Sequence, residues 1–258
     1  MRRLLALYTL FMLFFLYLPI AVIVALSFNQ SRFGVQWKGF TLTWYERLFS
    51  HPRILEYAEN TLVVALVITA IATLLGTLLA LGLYRYRFRG RGLLFGLLYV
   101  PVVVPDIVMG VALLLFFAWL RETLGFFRLS LFTIILGHVT YQLAYVAIVV
   151  LGRLATIEPE LEEAAADLGA GRLATLRYVT LPLLAPGILA GALLAFTLSI
   201  DDFVITFFTA GPGSTTLPLY IYGSTKRGIS PEIHAMSTIL IAVSTAGVLL
   251  GRLVQKRR

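Results

Sequence analysis

Long apolar runs separated by short polar clusters organise the whole chain. Windows of about 20 apolar residues, enough to cross a hydrocarbon core ~30 Å thick, occur near 4–26, 60–84, 93–119, 131–151, 187–209 and 233–253. The pattern predicts six transmembrane helices. The longest connections, 27–59, 152–186 and 210–232, leave no room for a soluble domain. The fold class expected is therefore all-α, with residues 1–258 forming one membrane domain.

One polar stretch does not read as a simple connection. Pro159 suits a first helical position, where its missing N–H costs nothing, and Glu160, Glu162 and Glu163 crowd the positive end of the helix dipole. Leu161, Ala164, Ala165 and Leu168 recur at i, i+3, i+4 and i+7, while Glu160, Glu163 and Asp167 take another face. Gly169 and Gly171 supply stop signals after ~10 residues, or ~15 Å of helix. A second helix is expected over 172–181, with Pro182 and Pro186 stopping it before the fifth span. Interfacial membrane helices favour Lys and Arg on the polar face, whereas this one is acidic with small alanines. The pattern favours docking into another protein, with packing against the chain's own helix ends as the alternative.

Composition sharpens the picture. With 59% hydrophobic and 13% charged residues and a mean hydropathy of +0.91, the chain is too apolar for a soluble domain of its size. Arg2, Arg3 and Ala25-Leu26-Ser27 raise a signal-peptide alternative for the first run. That run exceeds the about 7–15 apolar residues of a signal sequence, so an uncleaved helix is preferred.

Placing both termini in the cytoplasm puts Arg85, Arg87, Arg89, Arg91, Arg153, Arg172 and Arg177 inside, together with the basic residues of both ends. Thirteen of the 21 Lys and Arg then lie inside, as the positive-inside bias demands. The net charge of +8 is thereby explained by span ends, and nucleic-acid binding is not expected. The absence of cysteine excludes a disulfide framework and a thiolate metal site. No G-x-x-x-x-G-K-[ST] run is present, so any use of ATP requires a partner chain.

The run Glu163-Ala164-Ala165, three residues, Gly169, nine residues, then Val179-Thr180-Leu181-Pro182 resembles the EAA loop of ATP-binding-cassette importer permeases, EAA-x3-G-x9-I-x-L-P, departing only at Val179. The similarity extends to Asn60-Thr61-Leu62, Pro101 to Pro105, Ser199-Ile200-Asp201-Asp202-Phe203 and Gly211-Pro212-Gly213. With Leu217-Pro218-Leu219-Tyr220 and Gly228-Ile229-Ser230-Pro231-Glu232, these segments are similar to the C-type permeases of spermidine/putrescine importers.

The resemblance implies a transport subunit with no catalytic residues and no cofactor of its own, in a prokaryotic cytoplasmic membrane. It also implies a cytoplasmic ATPase dimer that uses the ATP, a related second permease, an extracytoplasmic binding protein and a polyamine substrate. ATPase coupling is carried over to Glu163, Ala164, Ala165, Gly169, Leu181 and Pro182. The alternatives are a permease for iron, phosphonate, an opine-like or another small solute, and an ion-coupled secondary transporter.

Asp106, Asp201 and Asp202 are the carboxylates inside predicted spans, where such groups usually face a cavity, a partner or a pathway. On continuous helices Asp201 would lie ~21 Å and Asp106 ~20 Å from the cytoplasmic ends, levels suited to a ring that attracts a polycation. The competing roles are helix capping after Pro105 and pairing with a basic group. Adjacent residues point ~100° apart, so Asp201 and Asp202 do not both face one point. Tyr141, Gln142, Tyr145 and Phe203 are candidate lining, with ordinary packing as the bland reading. His138 has no ligand-spaced companion and is expected to be a hydrogen-bonded core histidine, not a metal ligand. Trp37, Trp44 and Tyr45 suit interface anchoring, while the 27–59 and 211–232 loops, the latter with Lys226 and Arg227, are candidate docking surfaces.

Overall fold

A computed structural model describes residues 1–31, 36–125, 127–226 and 231–256, with the side chains of the final helix described as far as Leu249. Arg227 and the Gly228 to Ser230 stretch expected to form part of a docking loop lie outside the described residues. The elements in order are α1 (Arg2–Ser27), α2 (Thr43–Ser50), α3 (Pro52–Arg85), α4 (Arg91–Val103), α5 (Asp106–Leu124) and α6 (Leu131–Leu154). They continue with α7 (Glu160–Asp167), α8 (Arg172–Thr175), a π-helical turn over Leu176–Thr180, α9 (Leu181–Ile200), α10 (Val204–Thr209), α11 (Leu217–Thr225) and α12 (Pro231–Lys256). Among the described residues there is no strand, only an isolated antiparallel bridge between Asn29 and Phe40. Among the described residues, six helices are long and apolar enough to span a membrane: α1, α3, α5, α6, the continuous run Arg172–Ile200, and α12 as far as Leu249.

Two compact units are formed, the first by Met1–Glu59 with Leu217–Val243 and the second by Asn60–Thr216 with Ser244–Arg258. In the first, Trp44 and Leu48 of α2 join Ile54, Leu217, Ala235 and Met236 in a small core. The Trp44 indole donates to the Asn29 carbonyl at 2.8 Å, and the Asn29 side chain accepts from Ser31 and Lys38 N–H. Trp44 is therefore a buried structural residue, not an interface anchor, whereas Trp37 stays exposed.

In the second unit α6 is the central helix, buried along its length and packed by α4, α5, α9 and α10. Apolar side chains gain little from leaving lipid for protein, so small residues that admit close helix approach matter more than area. Gly76 of α3 and Gly191 of α9 both face Val146 of α6, where an added Cβ would fall 2.8 Å and 3.1 Å from its side chain.

Two predicted spans are broken. The 93–119 run is split because Val104, forced extended before Pro105 (ψ 129°), ends α4. Asp106 then opens α5. The 187–209 run is interrupted at Asp201-Asp202-Phe203, between α9 and α10. The depth counted along an unbroken helix therefore does not apply to Asp106, whereas Asp201 directly follows the continuous run Arg172–Ile200. Pro182 and Pro186, expected to stop the loop's second helix, instead lie inside its continuation into the fifth span. Pro182 cannot donate, and the helix adjusts just before it: Leu181 N–H reaches back five residues to the Leu176 carbonyl. The Leu183 carbonyl receives Arg153 Nε at 3.0 Å.

Candidate functional site

The polar loop folds as its sequence suggests. Three glutamates occupy the first turn of α7, and the helix ends on a Schellman turn: Ala170 N–H bonds the Ala165 carbonyl and Gly169 N–H bonds that of Ala166. Gly169 holds φ +86°, a left-handed conformation that side chains resist. No residue of α7 is buried.

Glu163 and Ala164 are exposed, Ala165 is half-buried, and Leu181 and Pro182 open α9 on an exposed face. Leu168, Leu173 and Tyr178 are 90%, 77% and 71% exposed, an unusual apolar display on a polar loop. Glu162 turns the other way. Its carboxylate accepts from Arg85 at the end of α3 and from the buried Thr180 hydroxyl at 2.6 Å, while Arg85 Nη2 also donates to Thr180 at 2.9 Å. The sequence-predicted coupling residues are thus gathered on one loop, and a polar ring lies behind them.

The acidic residues divide into two environments. Asp202 is drawn inward, its side chain 10% exposed and 3.1 Å from His138 Nε2 on α6. It also accepts Thr206 N–H at 2.9 Å and the Thr206 hydroxyl at 3.1 Å, so it satisfies a free donor in the first turn of α10. Ser199 completes the group, 3.4 Å from His138 Nδ1. The carboxylate and the Ser199 hydroxyl thus meet opposite nitrogens of the ring. His138 is a hydrogen-bonded core histidine whose partners come from the break in the fifth span.

Asp201 and Asp106, by contrast, are exposed. Asp106 opens α5 and Asp201 directly follows α9, so each exposed carboxylate stands at the break of a span. Tyr141 is buried, receives Gln142 Nε2 at 3.2 Å and meets Tyr145 edge-on at 6.2 Å. Phe203 packs on Phe207, with ring centroids 5.5 Å apart. Close packing sets the junction, because an added Cβ on Gly110 of α5 would fall 2.4 Å from the Phe208 ring of α10.

Two exposed carboxylates stand at the breaks of apolar spans, and the loop carrying Glu163 is exposed elsewhere. The family model for the inner membrane component of binding-protein-dependent transport systems matches residues 54–257. The chain belongs to this family. This permease subunit of an ATP-binding-cassette importer is accordingly a multi-pass inner-membrane protein. It is 41% identical over 243 residues to the spermidine/putrescine transport system permease protein PotC of Haemophilus influenzae, covering 94% of this chain and 93% of that protein. PotC of Escherichia coli K12 is 42% identical, with 94% and 90% covered. The putrescine transport permease PotI of the same strain is 39% identical, with 90% and 84% covered. In fold the permease resembles a bacterial alginate importer at TM-score 0.78 and 19% identity, with 99% of this chain and 94% of that chain aligned.

Sequence reasoning expected His138 to be a hydrogen-bonded core histidine but did not pair it with Asp202 and Thr206, nor Arg85 with Glu162 and Thr180. Thr180 lies inside the EAA-type motif, a signal that a polar residue there has a task. Arg85 and His138 carry no local signal, since their partners lie 77 and 68 positions away.

Proposed function

We propose that the permease forms part of a polyamine pathway, for spermidine or putrescine, and couples it to a separate cytoplasmic ATPase dimer through the loop around Glu163. One observation carries this reading: α7 presents Glu163, Ala164 and Leu168 to solvent while its other polar face is tied inward through Glu162. Ala164 and Ala165 permit close approach of a partner, Gly169 makes the turn, and Leu181 and Pro182 carry the displacement into α9. The ATP is bound and hydrolysed by that partner.

The pathway would run past Asp106 and Asp201. Exposed carboxylates attract ammonium groups, and Phe203, two residues beyond Asp201, would add an aromatic face. The relatives named for spermidine and putrescine support that substrate class. A second, related permease would complete the pathway. The apolar window of α1 has no residue buried within this chain, leaving that surface for lipid and the sister subunit. An extracytoplasmic binding protein delivers substrate, both termini are cytoplasmic, and the basic residues flanking the spans support that orientation.

The test is ATP-dependent uptake of radiolabelled spermidine and putrescine in vesicles holding the permease with its co-purifying partners, comparing wild type, Glu163→Arg and Asp201→Asn. The reading predicts that Glu163→Arg abolishes uptake while the chain still inserts, and that Asp201→Asn weakens uptake. Uptake driven by an ion gradient and indifferent to Glu163 would establish a secondary transporter instead.

A further inference from the structure

We propose that Arg85, Glu162 and Thr180 act as a clasp that orients the coupling helix, which makes Arg85 and Glu162 positioning residues for energy coupling. The proposal rests on the reading that the loop meets an ATPase. A loop helix transmits a push only if it is held at a defined angle to the spans it moves. No residue of α7 is buried, so this helix has no apolar anchor of its own, and it packs chiefly along α8 and the π-helical turn.

What replaces an anchor is a closed hydrogen-bond ring. One Arg85 Nη2 proton goes to the Glu162 carboxylate and the other to the Thr180 hydroxyl at 2.9 Å. The single Thr180 proton goes to Glu162 Oε1 at 2.6 Å, a much shorter contact than the 3.4 Å to the Thr175 carbonyl. Each donor and acceptor supports the next, and charge-assisted bonds hold direction better than neutral ones.

The placement of the ring decides its role. Arg85 is the last residue of α3, Glu162 lies in the first turn of α7, and Thr180 closes the π-helical turn that leads into α9. Thr180 is fully buried, while Arg85 and Glu162 side chains are 25% and 33% exposed. The ring therefore joins a buried residue, Thr180, to two partly exposed side chains that it holds by hydrogen bonds. Single-turn π segments inside helices occur often at functional sites, and here the extra residue in the turn lets Thr180 point at Glu162. Neighbouring glutamates thus divide the work: Glu163 faces outward to the partner and Glu162 faces inward to the spans.

The experiment uses the full importer, both permease subunits with ATPase and binding protein, in proteoliposomes, reading ATP hydrolysis and radiolabelled spermidine uptake together. Wild type comes first: if it shows no ATP-driven uptake, the functional reading itself fails and the clasp falls with it. If wild type transports, Glu162→Gln and Thr180→Val should still co-purify with the ATPase and hydrolyse ATP within about twofold of wild type, while uptake per ATP falls about fivefold or more, the lower end of ordinary coupling between sites. Thr180→Val, close to constant shape, carries the test if Glu162→Gln does not insert. The exchange Arg85→Glu with Glu162→Arg should recover uptake per ATP relative to either single change. An unchanged ratio in these variants, loss of the ATPase on Glu162→Gln, or an exchange no better than the singles would each overturn the proposal.

Discussion

His138 on α6 and Asp202 in the break of the fifth span lie 3.1 Å apart, with the histidine fully buried and the carboxylate nearly so. Lipid offers no hydrogen bonds, so each group needs the other, and Thr206 and Ser199 fill the remaining positions. The pair separates Asp202 from Asp201 and Asp106, which keep their carboxylates exposed.

Removing the histidine leaves the Asp202 carboxylate with Thr206 as its remaining partner. His138→Ala should destabilise the detergent-solubilised permease by about 1.5–3 kcal/mol, the usual worth of a hydrogen bond to a charged group. Asp202→Asn should cost a similar amount, and the double variant should cost far less than the two together. Thermal unfolding of the four proteins measures this; strictly additive losses would show that the pair does not interact.

Asp201 and Asp202 are adjacent yet should behave differently. Asp201→Asn should leave the melting temperature near wild type and lower polyamine uptake, because it removes an exposed charge without breaking a bond network. Asp202→Asn should lower stability and uptake together. Parallel melting and uptake curves decide the matter, and equal melting temperatures for both variants would contradict it.

Gly110 meets Phe208 so closely that a Cβ would fall 2.4 Å from the ring. Gly110→Ala should cost about 1–3 kcal/mol as an overpacked contact. Gly110→Ala with Phe208→Leu should regain part of that loss, since the smaller side chain leaves space at the junction. Failure of the second change to help would place the strain elsewhere.

Gly169 holds φ +86° with open space where a Cβ would stand, so substitution there probes the backbone alone. Gly169→Ala should cost about 1–2 kcal/mol of local stability through the left-handed conformation. It should loosen the end of α7, read as faster hydrogen exchange over 164–170 and reduced uptake. Gly171→Ala, at φ −70°, should change neither.

Much of this architecture is legible along the chain, because a membrane imposes simple length and composition rules. Six apolar runs became six candidate spans, and the loop helix formed where Pro159, the glutamates and Gly169 mark its ends. Those signals act within a few residues, between neighbours that the chain itself holds close. The breaks were only half visible. Pro105 marks one plainly, but nothing apolar or glycine-like announces the end of α9 at Ile200. There Asp202 finds its partners within the fold, on His138 and Thr206.

The sequence by itself determined the membrane class, the number of candidate spans, the loop helix and the set of candidate carboxylates. Tertiary structure alone decided which of two adjacent acids is buried, which of two adjacent glutamates bonds back to the spans, and that Trp44 belongs to a core. The physical reason is the same each time. A polar group near lipid takes whichever partner the packing of distant helices brings within hydrogen-bond reach, and no local pattern encodes the helix that will arrive.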